Sequence, residues 1–164
     1  MGVLCTGYSI PAPLMRKIRA DNDNLAFILG ISEDENPNWK VDDYDFDKSF
    51  EDLIGVLQRC GYRKTYKLLD GEGYFYSEGG NYIDYEGYDI WFVSPANVKF
   101  IVKDLETLTL AKIKAAGNAE QLTDYYGKVI PESSYESYLS YIQDMKKFFK
   151  SAAEKGNYLL FAEA

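Results

Sequence analysis

Apolar residues along this chain alternate at some places and recur every three or four positions at others, and the two periods predict its elements. Val3 to Ile10 is apolar and β-branched enough for a first strand, stopped by Pro11 and Pro13. Pro11-Ala12-Pro13 opens a short helix carrying Leu14, Met15 and Ile18, since proline suits a first helical turn. Leu25 to Leu29 prolongs the apolar patch and ends at Gly30. Phe50, Leu53, Ile54 and Leu57 line one face of a helix that Asp47 or Ser49 caps and Gly61 ends. Tyr62 to Leu69 is a shorter helical piece with Arg63, Lys64 and Lys67 on its exposed side.

Tyr88 to Val93 reads as a strand, and Ser94-Pro95 then starts a helix carrying Val98, Ile101, Val102 and Leu105. Another holds Leu108, Leu110 and Ile113 and stops near Gly117. The last helix is the clearest: Tyr135, Tyr138, Ile142, Met145, Phe149 and Ala152 share one face, between a Ser133–Glu136 capping box and Gly156. Tyr158 to Phe161 makes a final strand. Residues 31–45 lack periodicity and read as a loop, 70–89 as a long loop with short extended pieces, and 118–131 as a connector. Strands at both ends with helices between predict an α+β chain. The expected architecture is one compact domain over residues 1–164, a small mixed sheet with terminal strands and about five helices.

Composition changes the picture mainly by exclusion. At 164 residues the chain can build a core without metal or disulfide, and 46% hydrophobic residues place it with globular proteins. It contains no histidine, so a Ser-His-Asp or Cys-His unit and a histidine zinc site are impossible. Cys5 and Cys60 are far apart and read as buried small hydrophobes in a reducing compartment. No apolar run approaches a membrane span and no secretory signal opens the chain. Met1 to Thr6 fits the short myristoylation template, but a first strand explains the same residues.

The net charge of −8 is unevenly spread. Residues 33–52 carry nine carboxylates against Lys40 and Lys48, and residues 70–89 carry six with no basic residue. Both segments are aromatic: Trp39, Tyr44, Phe46 and Phe50 in the first, and Tyr74, Phe75, Tyr76, Tyr82, Tyr85 and Tyr88 in the second. Tyrosine offers contact area with few rotatable bonds and a polar tip, and acidic charge steers a cationic partner. The expected binding residues are Asp43, Asp45, Tyr74, Tyr76, Asp84, Tyr85, Glu86 and Tyr88. The expected partner is a basic protein; nucleic acid, membrane and cofactor are not expected.

Asp43-Tyr44-Asp45-Phe46-Asp47 resembles the first ligands of an EF-hand loop, then fails: Lys48 replaces the glycine and Ile54 the bidentate glutamate. In an extended chain its aspartates share one face, and the more economical reading is a helix start. A carboxylate-based or magnesium-assisted hydrolase on Asp43, Asp45 and Asp47 is one alternative to a binding protein, and a nucleic-acid mimic another. Arg59, Arg63, Lys64 and Lys67 form the best basic cluster, expected to partner the acidic loops rather than to make an anion site.

Several stretches in order resemble the YfbM-like family of small bacterial proteins of unknown function. They are the Met1-Gly2 start, Asp45-Phe46-Asp47-Lys48-Ser49-Phe50, Phe92-Val93-Ser94-Pro95-Ala96-Asn97-Val98, and Phe148 to Gly156. Phe50 stands where that family usually has tryptophan, and Ile90-Trp91 where it usually has a Gly-Pro pair. The resemblance implies a compact α+β domain in a bacterial cytoplasm, and no reaction.

Overall fold

Alternating side chains at the amino terminus form a strand whose partners lie far away in sequence. β1 (Cys5–Ile10) pairs with β2 (Asp42–Asp47) on one side and with β5 (Tyr158–Glu163) on the other. β5 also pairs with β4 (Tyr88–Val93), and β4 with β3 (Tyr82–Tyr85). The computed structural model describes residues 4–34, 39–47, 49–71, 82–124 and 126–164. The strand order is β2-β1-β5-β4-β3, and every pair is antiparallel. The α+β class holds, with an antiparallel sheet in place of the mixed one expected. Chain reversals explain the difference. Gly156, at φ +67, closes the last helix and turns the chain into β5, and a two-residue turn joins β3 to β4.

That turn is Glu86-Gly87, with φ of +51 and +81. Positive φ at both central residues is the backbone of a type I′ hairpin, whose twist matches that of its strands. β2 departs from the loop expected over residues 31–45. Tyr44 and Phe46 alternate with aspartates, so the apolar pair packs inward while the carboxylates stay exposed on an edge strand.

Seven α-helices are present among the described residues, against about five expected. They are α1 (Ala12–Ala20), α2 (Leu25–Leu29), α3 (Phe50–Arg59), α4 (Arg63–Leu69), α5 (Pro95–Thr107), α6 (Leu110–Ala119) and α7 (Tyr135–Lys155). Short apolar runs such as Leu25–Leu29 close helical turns of their own. Ser94 caps α5 as its sequence predicts, its hydroxyl accepting the Asn97 N–H. The Ser133–Glu136 box does not form: residues 132–134 make a 3₁₀ turn, and Ser134 precedes α7 without a side-chain bond. Ser49 precedes α3 and donates to the Phe46 carbonyl at 2.9 Å.

The sheet separates two cores. On one face Cys5, Phe46, Trp91, Val93, Leu159 and Phe161 pack with α3 to α7. On the other Ile10, Ile90, Phe92, Leu160 and Ala162 pack with Met15 and Ile18 of α1 and Leu25 and Ile28 of α2. Buried polar groups tie elements together across the core. Thr65 of α4 donates to Asp104 of α5 at 2.6 Å, and Asn157 after α7 donates to Ser9 of β1 at 3.0 Å.

Candidate functional site

Strand alternation decides where the acidic and tyrosine residues point. On β2 the rings of Tyr44 and Phe46 face α7, with Phe148 5.7 Å from Tyr44 and Phe149 6.0 Å from Phe46. Asp43 and Asp45 therefore stand on the opposite face, exposed, on the side of α1 and α2. Their cross-strand neighbours on β1 are Tyr8 and Thr6. Tyr88 and Tyr85, paired across the β3–β4 hairpin, reach that same side and pack beside its core.

The Tyr8 phenol joins the two groups. Its pKa is pushed above the usual value by burial first, then by Asp43, Tyr88 and Asp45. Tyr85 is raised by desolvation first, then by Asp23, Glu86 and Asp21. The 3₁₀ turn between α1 and α2 thus brings Asp21 and Asp23 to the hairpin; there the Asp21 carboxylate accepts the Asp23 N–H at 3.0 Å. The result is a face where half-buried phenols, still protonated at neutral pH, offer O–H donors among carboxylates.

Of the residues picked from sequence, Asp43, Asp45, Tyr85 and Tyr88 share this face, and Glu86 forms the adjoining hairpin tip. Asp84 does not join them. It pairs with Asp89 on the opposite side of the strand, where the Tyr82 hydroxyl donates to Asp89. Tyr74 and Tyr76 lie outside the described residues. Tyr8, Asp21 and Asp23 were missed. Alternation along β1 already separates Tyr8 from Cys5, but only the pairing of β1 with β2 makes it a neighbour of Asp43.

The Asp43-to-Asp47 run forms strand β2 in place of the helix start expected. Asp45 accepts the Asp47 N–H at 2.8 Å, Asp47 turns the chain at φ +50, and Asp42 pairs with Lys155 at 2.5 Å. Among the described residues no three carboxylates or thiols are grouped to hold a metal ion. Burial pushes both thiols up, Cys5 most, so neither is a nucleophile at neutral pH. No helix among the described residues is long and apolar enough to cross a membrane.

Among the described residues the basic cluster forms no ion pair with the acidic segments. Arg59 bonds Glu120, just past the end of α6, at 2.6 Å, and the Lys64 ammonium sits 4.0 Å from the centre of the Phe100 ring. On the larger-core side, a cavity of about 160 Å³ between α3, α4 and the sheet is lined by Glu51, Asp70, Glu163, Tyr66 and Trp91. Trp91 is buried, and its indole N–H has no hydrogen-bond partner among the described residues. Gly71 lies so close that a Cβ there would sit 3.0 Å from the Trp91 ring.

Comparison with known proteins agrees with this architecture. The crystal structure of YfbM from Escherichia coli, a protein of unknown function, superposes with a TM-score of 0.62. It is 12% identical, with 98% of this chain and 99% of that chain covered, a likeness of fold alone. No curated protein matches the sequence. The model of the family described as a domain of unknown function (DUF1877) matches residues 1–162, and the chain belongs to that family.

Proposed function

We propose that this protein is a non-enzymatic binding protein, of an inhibitor or immunity type, that presents an acidic, tyrosine-bearing face to a basic protein partner. The observation that supports it is that Asp43 stands opposite Tyr8 across the β1–β2 pair, with Asp45 and Tyr88 on the same face of the sheet and all three raising the Tyr8 phenol. These residues come from three strands, and two of the strands are separated by more than thirty residues of sequence. Carboxylates around the phenols steer and hold lysine or arginine, while the rings supply contact area and neutral donors. Both cysteines are unpaired, which suits the reducing cytoplasm this reading assumes.

The hydrolase alternative on Asp43, Asp45 and Asp47 draws little support, because Asp45 already accepts the Asp47 N–H and no three such groups are placed to hold a metal ion among the described residues. The test is capture of a partner from native extract at low salt, with elution by a salt step. A basic protein held by the native chain and lost on Asp43→Lys/Asp45→Lys supports the reading. An acidic partner, or one held equally by that variant, overturns it. Release of the captured protein by DNA would favour a nucleic-acid mimic instead.

A further inference from the structure

A basic groove of this acidic chain lies away from that face, among helices of the larger-core layer. α3 ends beside Gly61, whose φ of +93 turns the chain sharply into α4. Ala116, Ala119 and Glu120, from the end of α6, form the far wall. The small alanines leave an open groove of about 690 Å³, within the range of small-molecule sites, about 300–1,000 Å³. Arg59, Arg63 and Lys67 line it against a single carboxylate, Glu120. Arg59 reaches Glu120, while Arg63 and Lys67 have no ion-pair partner among the described residues.

Arg63 and Lys67 are four residues apart on α4, so they share one face and repel each other. In a chain of net charge −8, acidic side chains to relieve that repulsion are plentiful, yet none does so among the described residues. An anion lying between the two cations removes the repulsion. A guanidinium fork beside an ammonium suits a phosphate group, which takes two parallel N–H bonds from the first and a point charge from the second. Arg59 supplies a third donor once it exchanges Glu120 for the ligand. Tyr66, between Arg63 and Lys67 in sequence, offers a wall for the rest of the molecule.

We propose that this groove binds the phosphate group of a small phosphorylated molecule, with Arg63 and Lys67 as its primary contacts and Glu120 as a competitor for Arg59. The inference does not depend on the acidic face, which lies on the other side of the sheet.

Calorimetric titration of the full chain at constant ionic strength tests it, using inorganic phosphate, pyrophosphate and glycerol phosphate as probes. Saturable one-to-one binding is expected with at least one probe. Binding of glycerol phosphate assigns an organic ester; binding of the inorganic probes alone assigns free phosphate. Arg63→Gln/Lys67→Gln should weaken it by about tenfold or more, since two charge-assisted contacts are lost. Glu120→Gln should tighten it by releasing Arg59. Lys64→Gln should leave it unchanged, because that ammonium sits over Phe100. Thermal melts of each variant confirm folding, and Glu120→Gln keeps the test decisive should the double variant fail to fold. The proposal is overturned by any of three results: no saturable heat at millimolar probe, equal binding by the double variant, or weaker binding in Glu120→Gln. Capture of an acidic peptide through these residues, with no small phosphate bound, also overturns it.

Discussion

The two faces of the sheet are built from the same strands yet do opposite things with their aromatic residues. Toward α3 and α7 the rings are apolar and enclosed: Trp91 stacks on Phe161 at 5.3 Å, with Phe46, Phe50 and Phe149 around Phe161. Toward α1 and α2 a smaller core built around Phe92 and aliphatic side chains is bordered by Tyr8, Tyr85 and Tyr88, and nearby carboxylates help to raise the Tyr8 and Tyr85 phenols. One face therefore carries much of the stability, and the other leaves its polar tips where a partner can reach them. β2 shows the division within six residues, sending Phe46 into one side and Asp43 to the other.

The largest expected effect tests the enclosed face. Phe161 is fully buried among four other rings, so Phe161→Ala should lose about 3–5 kcal/mol of stability, read by urea denaturation. Gly7→Ala comes next. Its Cβ would lie 2.7 Å from the Phe46 ring, inside contact distance, so overpacking should cost about 1–3 kcal/mol. A loss within experimental error in either variant would break the idea that Phe46 and Phe161 anchor that face.

On the opposite face, Asp43→Lys should move stability by no more than about 0.5 kcal/mol, as exposed substitutions do. Partner capture should nevertheless fall. Stability lost in proportion to binding would mean that the two faces do not divide labour in this way.

How legible this division was in the sequence depends on the range of the interaction. Local signals served well: Ser94-Pro95 starts α5, Gly156 ends α7, and the spacing from Tyr135 to Ala152 marks its inner face. The Asp-x-Asp-x-Asp alternation was visible too, but as a ligand pattern rather than an edge strand. No local signal told that β1 lies between β2 and β5, and that pairing is what places Tyr8 beside Asp43. Glu86-Gly87 also escaped notice, because asparagine or aspartate before glycine is the usual sign of such a turn. With the hairpin unread, Asp84 and Tyr85 looked equivalent, although neighbours on a strand must point apart.

The smallest effect concerns protons, and it separates Tyr82 from Tyr8. Both phenols are raised, but for different reasons: burial leads for Tyr8, whereas a hydrogen bond to Asp89 leads for Tyr82 and pushes it up to about 12. A phenol held above its ordinary value of about 10 binds its proton more tightly when folded. Its contribution to stability is complete below about pH 10 and is lost as pH rises through the folded value. Between pH 10 and 12 the melting temperature of the native chain should therefore fall more steeply than that of Tyr82→Phe, which has no phenolic proton to lose. Tyr8→Phe should flatten the same slope through a different cause, relief of burial and of repulsion from Asp43 and Asp45. Raised salt should screen part of that repulsion, while the short-range bond to Asp89 is less sensitive to it. A salt-dependent Tyr82 and a salt-independent Tyr8 would reverse this assignment of causes to the two faces.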